Sequence, residues 1–404
     1  MNCRPGPTIH AARTGRANRD LVGAWMRGPV PVLSAVPARA FHPLQLGTDE
    51  GMAMTTMTDT ARRVMGGVDT HRDLHVVCAL DERGAELGVE AFATTPAGYR
   101  QTLRWLRRFG EVEKIGVEGT GSYGAGLTHY LQDQGVDVVE INCPNRQRRR
   151  SHGKSDPVDA IAAAKAVFSG EATIEPKTRD GNVEAIRALR TADRSARHAR
   201  IKALNQMRAL LLTGPEELRE QFRGTTPWRM VRTAARLRPG DPTSAVGATK
   251  FTLRLLARRV LELEAELKEL KTILKPLVAR TAPELVARHG VGTETAGALL
   301  VAAGDNPERL RDERAFAHYC GTSPIDASSG TVVRKRLNRG GNRQANNALW
   351  RIVMVRMVSD PATRAYVERR VKEGKSKREA IRCLKRYVAR ELYPLLAQTA
   401  PCNR

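Results

Sequence analysis

Met65-Gly66-Gly67-Val68-Asp69 is a short apolar run that closes on a carboxylate, and the rest of the chain can be read outward from it. Further apolar runs follow at His75–Leu80 and Val89–Phe92, then a helix-length segment at Pro96–Phe109. Beyond it come a strand at Lys114–Val117, a helix at Tyr123–Gln134, a strand at Val136–Ile141 and a helix at Pro157–Phe168. The turn-forming Asp81-Glu82-Arg83-Gly84 closes the leading strands into a meander, and the later alternation is that of βαβα units. Parallel strands need crossover connections that cover the sheet, so the pattern predicts an α/β sheet flanked by helices. This order of elements resembles that of ribonuclease-H-like nuclease domains.

Four acids stand where such a sheet presents its working edge. Asp69 ends the first strand, Glu118 ends Ile115-Gly116-Val117-Glu118, and Asp156 and Asp159 open the helix that follows. Ligands of open α/β sheets gather at the carboxyl ends of the strands, and residues three apart share a helix face. Four hard oxygen donors around one cleft suit two magnesium ions, with manganese as the alternative, because these ions keep waters and accept phosphate oxygens as further ligands. A plainer reading stands beside this one. In Ser155-Asp156-Pro157-Val158-Asp159, Pro157 fits the first helical position, which makes Asp156 an N-cap and Asp159 a first-turn acid facing the helix dipole. Between Glu118 and Asp156 lies a basic run whose Arg146, Arg148, Arg149, Arg150 and Lys154 suit a phosphate backbone.

Composition points the same way. The chain of 404 residues carries 67 lysines and arginines against 43 acids, a formal charge of +24, so a polyanion is the expected partner. Aromatic residues are only 4%, too few for extended base-stacking platforms, so contacts to the nucleic-acid backbone should dominate. The six cysteines are scattered singly, with no C-x-x-C pair, which suits a reducing cytoplasm and no zinc site. No apolar run is long enough for a membrane span. Residues 1–63 show no sustained period and read as a disordered extension or a start assigned too early, since Met52, Met54 and Met57 precede the first strand.

The expected organisation is thus an extension over 1–63, a metal domain over 64–175, a helical and coiled-coil region over 183–280 and a mostly helical domain over 282–398. Ile186, Leu189, Ile201, Leu204 and Leu211 give 183–213 a helical face among arginines. Leu253, Leu256, Val260, Leu263, Leu267, Leu270, Leu274 and Leu277 alternate steps of three and four, which predicts a coiled coil joining copies or a long helix packed within its own chain. His289-Gly290-Val291-Gly292 lies between helical patterns, as a helix-hairpin-helix element or a plain turn. Farther on, Ser328-Ser329-Gly330 precedes Arg334, Lys335, Arg336, Arg339 and Arg343, and Gly340-Gly341-Asn342-Arg343 opens a helix. Asn342 and Arg343 there could meet a phosphate, or Asn342 could cap the helix. A serine in such a stretch is ordinarily a turn residue. A nucleophilic serine needs its proton removed or its anion stabilised, and the neighbouring cations could do part of both.

Gly67-Val68-Asp69-Thr70-His71, Val117-Glu118-Gly119-Thr120-Gly121-Ser122-Tyr123 and Lys154-Ser155-Asp156-Pro157-Val158-Asp159-Ala160 resemble the D, E, D and D motifs of the insertion-sequence-110 family of transposases, which includes the Piv-type pilin-gene invertases. Ala287–Gly292, Phe316–Gly321 and the stretch from Ser328 to Arg343 resemble the C-terminal transposase domain of that family. The likeness runs from about Met65 to Leu396; the N-terminal extension departs from it, as does Ser-Asp-Pro where Thr-Asp is common. The resemblance implies a RuvC-like DEDD metal domain, a coiled-coil linker and a C-terminal domain whose Ser-Gly serine joins covalently to DNA. Ser329 directly precedes Gly330, and Ser328 stays open. The resemblance further implies oligomers, dimeric or tetrameric, in which parts of different subunits form one site, and an element-encoded bridge RNA that selects DNA. A structure-specific metal nuclease with an inert serine and a non-enzymatic nucleic-acid binder are the alternatives.

Overall fold

The structure is a computed structural model that describes residues 62–141 and 155–398. The N-terminal extension before Arg62 and the basic run with Arg146, Arg148, Arg149, Arg150 and Lys154 lie outside the described residues. Three strands lead: β1 (Arg63–Thr70), β2 (Leu74–Asp81) and β3 (Glu86–Ala93). The turn between the last two is held by Asp81, whose Oδ1 accepts from the amides of Arg83 at 3.0 Å and Ala85 at 2.8 Å, while Gly84 takes a φ of +79° that other residues adopt at a cost. Then come α1 (Pro96–Arg107), β4 (Glu111–Glu118), α2 (Ala125–Asp133), β5 (Asp137–Ile141) and α3 (Asp156–Phe168). The sheet order is β3-β2-β1-β4-β5, with β1, β2 and β3 antiparallel and β1, β4 and β5 parallel.

One face of this sheet buries Val64, Val68, Ile115 and Val117 with Leu103 and Leu106 of α1 and Leu127 and Leu131 of α2. The other face receives α3, and glycines decide how closely. Gly67 of β1 and Gly116 of β4 are partners in the parallel ladder. A Cβ at Gly67 would lie 2.0 Å from the backbone nitrogen of Ala164 and 2.5 Å from the carbonyl of Ala160. A Cβ at Gly116 would meet Val167 at 2.5 Å. Helix α3 answers with small residues, burying Ala160, Ala163 and Ala164, so its backbone rests on the strand itself.

The remainder is helical. Long helices α4 (Asn182–Thr213) and α7 (Ala245–Thr281) pack along each other and carry α5 (Glu216–Phe222) and α6 (Pro227–Ala235) between them in sequence. The heptad row Leu253, Val260, Leu267 and Leu274 is buried, and Leu256, Leu263, Leu270 and Leu277 beside it are half-buried. Of the two readings of that stripe, packing within the chain accounts for the buried row. Met207, Leu211, Leu218, Phe222, Met230 and Val231 form a separate core with Leu253, Ala257 and Val260. At the other end Val183, Ile186, Leu274 and Val278 belong to the core of the C-terminal helices, so packing is continuous across residue 282.

Those helices are α8 (Pro283–Ala287), α9 (Thr293–Ala303), α10 (Glu313–Tyr319), α11 (Arg343–Ser359), α12 (Pro361–Lys372) and α13 (Lys377–Ala397), with a short hairpin of β6 (Ile325–Asp326) and β7 (Lys335–Arg336) between α10 and α11. In the 289–292 turn the amide of Val291 donates to Arg288 O at 3.0 Å and that of Gly292 to Thr295 Oγ1 at 3.0 Å, so both are satisfied inside the chain. The sheet and the C-terminal helices are tied together. Buried Arg309 pairs with Glu140 of β5 at 3.1 Å and donates through Nε to Glu175 O at 2.9 Å. Asp305 accepts from the Val183 and Glu184 amides at 2.8 and 3.1 Å, satisfying the N-terminus of α4. Among the described residues no helix is long and apolar enough to cross a membrane.

Candidate metal centre and serine hairpin

In a strand, residues two apart point to one face, so Asp69 follows Gly67 and Glu118 follows Gly116 onto the side where α3 lies. Asp159 sits in the first turn of that helix, one residue before Ala160. Asp69, Glu118 and Asp159 therefore line one cavity of about 250 Å³, together with Thr70, His71, Gly119 and Ser122. Thr70 ties the two strand ends, its Oγ1 donating to the carbonyl of Glu118 at 2.8 Å. Asp69 and Asp159 are buried and Asp156 is exposed.

Asp156 is not the helix cap. Ser155 has the extended N-cap conformation, and Asp156 is the first helical residue. Its Oδ1 lies 3.2 Å from Nε2 of His71, whose same nitrogen is 3.2 Å from Oδ2 of Asp69. Burial above all, with the nearby Asp159 and Asp156 carboxylates adding, holds Asp69's carboxyl above its usual range, while His71 pulls the other way. A buried carboxylate crowded by two more is poorly served by water and well served by a cation. The donor set is hard oxygen with one imidazole, and it fits a divalent ion.

Neither Ser328 nor Ser329 is among the residues lining the carboxylate cavity. Ser328 and Ser329 occupy the outer part of the β6–β7 hairpin and have different surroundings. The Ser328 hydroxyl accepts from the Arg334 amide at 3.0 Å and donates to the Arg334 carbonyl at 3.3 Å, so it braces the hairpin. Ser329 exchanges backbone hydrogen bonds with Val332 at 3.2 and 3.1 Å, and Gly330 turns the chain at a φ of +58°. The Ser329 hydroxyl is exposed and makes no hydrogen bond among the described residues.

Arg334 and Arg336 are exposed on the returning strand, and Lys335 pairs with Asp326. Arg339 and Arg343 line a groove of about 800 Å³ next to the hairpin. Asn342 caps α11, its Oδ1 accepting from Gln344 and Ala345 amides at 3.0 and 3.1 Å and its Nδ2 donating to the Tyr319 hydroxyl at 3.2 Å. Of the two roles open to it, the cap is the one the geometry occupies. The groove also holds residues that sequence reasoning passed over: Arg382, Lys385 and Arg386 from α13, with half-exposed Trp350 and Tyr387. The signal for them was the spacing of three and four between Arg382, Lys385 and Arg386, which puts cations on one helix face. His71 has no sequence signal of its own, because a lone histidine after a strand carries no spacing pattern.

Two family descriptions match the chain: "Transposase", in its DEDD form for IS110, over residues 66–214, and "Transposase IS116/IS110/IS902 family" over residues 284–368. Among curated proteins, the chain is 36% identical over 115 residues to the 43.6 kDa protein of insertion element IS110 from Streptomyces coelicolor, 28% of each chain. It is 28% identical over 132 residues to the pilin gene-inverting protein of Moraxella bovis, covering 32% of this chain and 41% of that one. With the corresponding protein of Moraxella lacunata it shares 28% identity over 118 residues, 28% of this chain and 36% of the other. The matched segments thus span between a quarter and a half of these relatives' lengths. The first family match contains all four acids and the second contains the serine hairpin; with both matches lying in order along one chain, the protein belongs to the IS110 family of transposases.

Proposed function

We propose that this chain is a transposase that breaks and rejoins DNA strands at the ends of its insertion sequence, with Asp69, Glu118, Asp156 and Asp159 as metal ligands and Ser329 as nucleophile. The observation that carries the reading is the convergence of Asp69, Glu118 and Asp159 on one cavity at the carboxyl ends of neighbouring parallel strands. The sheet order, a three-stranded meander extended by two parallel strands, supports a ribonuclease-H-like, RuvC-like assignment. Magnesium or manganese held by the four carboxylates would draw charge from a phosphate oxygen when bound.

The protein's own groups do the rest. Ser329 Oγ forms a bond to phosphorus, one phosphorus–oxygen bond of the strand breaks, and the departing strand oxygen takes up the serine proton. Rejoining reverses these bonds with the hydroxyl of another strand end, so the phosphodiester energy is kept in the protein–DNA ester. Arg334, Arg336, Arg339 and Arg343 hold phosphates beside the serine, and the basic run of Arg146, Arg148, Arg149, Arg150 and Lys154 does so beside the carboxylates. An element-encoded bridge RNA selects the DNA, a role that a charge of +24 supports. That Ser329 does not line the carboxylate cavity supports assembly of one reactive site from different subunits of a homo-oligomer. Leu255, Leu261 and Ile273 remain exposed on α7 for such contacts. The setting is the cytoplasm of a prokaryote.

The test is a reaction of the full chain with element-junction DNA, target DNA, flanking RNA of the element and magnesium, followed by denaturing electrophoresis. Recombinant product and DNA migrating with protein are expected. Asp69→Asn and Ser329→Ala lose both while still binding nucleic acid. Cleavage without an adduct would select a metal nuclease, and indifference to divalent cations a simple binder.

A further inference from the structure

We propose that His71 is itself a ligand of the cation at the carboxylate centre, so that the ion carries one nitrogen donor and manganese is favoured over magnesium. This rests on the metal-dependent reading above. The donor atoms of Asp69, His71 and Asp156 all lie within 4.8 Å of one another, and Nε2 of His71 is 3.2 Å from each carboxylate oxygen. In an octahedral site with bonds of about 2.1 Å, neighbouring donors stand about 3.0 Å apart. The His71 nitrogen thus already stands at about the spacing of an adjacent corner from each of the two carboxylate oxygens.

His71 is placed there by its backbone. Its amide donates to Leu74 O at 3.1 Å, closing the step from β1 to β2, and its carbonyl accepts from Thr94 Oγ1 at 3.2 Å. The ring is therefore presented from a pinned segment. A surface histidine paired with an acid needs one carboxylate and gains little from it. This ring nitrogen stands between two, one buried and one exposed, and it connects Asp156 at the rim to Asp69 inside. Without His71, Asp156 is the ligand least committed to the cavity.

The chemistry of the donor sets the preference. Magnesium binds oxygen and gives up water reluctantly, whereas imidazole suits transition metals. Replacing one oxygen position by nitrogen favours manganese, the softer of the two ions, without excluding magnesium.

Manganese bound to the purified full chain can be examined directly by pulsed electron paramagnetic resonance, which registers a directly coordinated nitrogen-14 as echo modulation. The wild type should bind manganese with imidazole modulation. His71→Gln should lose the modulation and weaken manganese binding at least about tenfold, with a smaller loss for magnesium measured by competition. His71→Asp should restore cation binding without modulation. Modulation that persists in His71→Gln, or manganese bound by the wild type with no modulation, overturns the assignment of His71. A wild type that binds no manganese, or an Asp69→Asn variant that binds it equally well, overturns the metal centre instead.

Discussion

Gly67→Ala adds one methyl group to β1 at the point where α3 crosses it. The added Cβ would stand 2.0 Å from Ala164 N and 2.5 Å from Ala160 O, both backbone atoms that cannot rotate away. Ordinary contact needs well over 3 Å, so the helix must slide or lift by more than an ångström. Overpacking of this kind costs about 1–3 kcal/mol, and a backbone clash belongs at the upper end. Alanine regains about 0.5–1 kcal/mol in a strand through the smaller entropy of its unfolded state. The net expectation is a loss of about 2 kcal/mol, which lowers Tm by about 8–16 °C for a cooperative unit of about a hundred residues. Because Asp156 and Asp159 ride on α3, the same displacement should weaken manganese binding well beyond what the stability loss explains. Gly66→Ala is the internal control. It faces the opposite side, where its Cβ would meet Ile115 Cγ1 at 3.1 Å, a side-chain atom that can yield, and it should stay within about 1 kcal/mol of wild type. Calorimetry and a manganese titration on both variants decide the matter. A Gly67→Ala protein as stable and as competent for manganese as Gly66→Ala would refute the close helix–strand approach on which the site's geometry depends.

Two further measurements probe other parts of the fold. His75 of β2 is fully buried, neither ring nitrogen has a hydrogen bond among the described residues, and burial, with the His71 charge adding, pushes its pKa down to about 4. Since the unfolded value is near 6.5, the unfolded chain binds the proton first, so this contribution is whole above about pH 6.5 and is lost as pH falls toward 4. Between pH 7 and pH 5 the wild type should lose about 2 kcal/mol more than a His75→Phe variant, read from urea midpoints, and parallel curves would contradict it. Glu140→Ala removes the partner of Arg309, whose side chain is only 2% exposed. An uncompensated buried charge costs about 3–5 kcal/mol. The lower end is expected because Arg309 keeps its bond to Glu175 O, and an unchanged denaturation midpoint would show that the pair does not tie sheet to helices.

The alternation of short apolar runs with helix-length segments was enough to order the sheet domain, because period-two and helical patterns are local properties of the chain. Strand ends came to within a residue, β1 running one residue past Asp69 to Thr70, and so did the positions of Asp69 and Glu118 at the carboxyl edge, since a strand's end is legible from where its apolar run stops. The leucine stripe of α7 was equally legible. Its partner was not, because an apolar face specifies that something covers it and not which helix does. Likewise Asp156 could be read as cap or as ligand from the same residues. The cap reading fell to Ser155, which takes the N-cap position, and the contact of Asp156 with His71 forms only once β1, the β1–β2 step and α3 are assembled. Gly67 and Gly116 illustrate the same limit: nothing in the sequence near Gly67 announces that a helix some hundred residues later rests on it, since close approach is a property of two segments together. The serines differ through the Arg334 backbone, which is brought back to Ser328 by the hairpin. Tertiary structure decided each of these points for one reason, that distances between residues far apart in sequence are set by packing and hydrogen bonding across elements, whereas sequence periodicity describes each element alone.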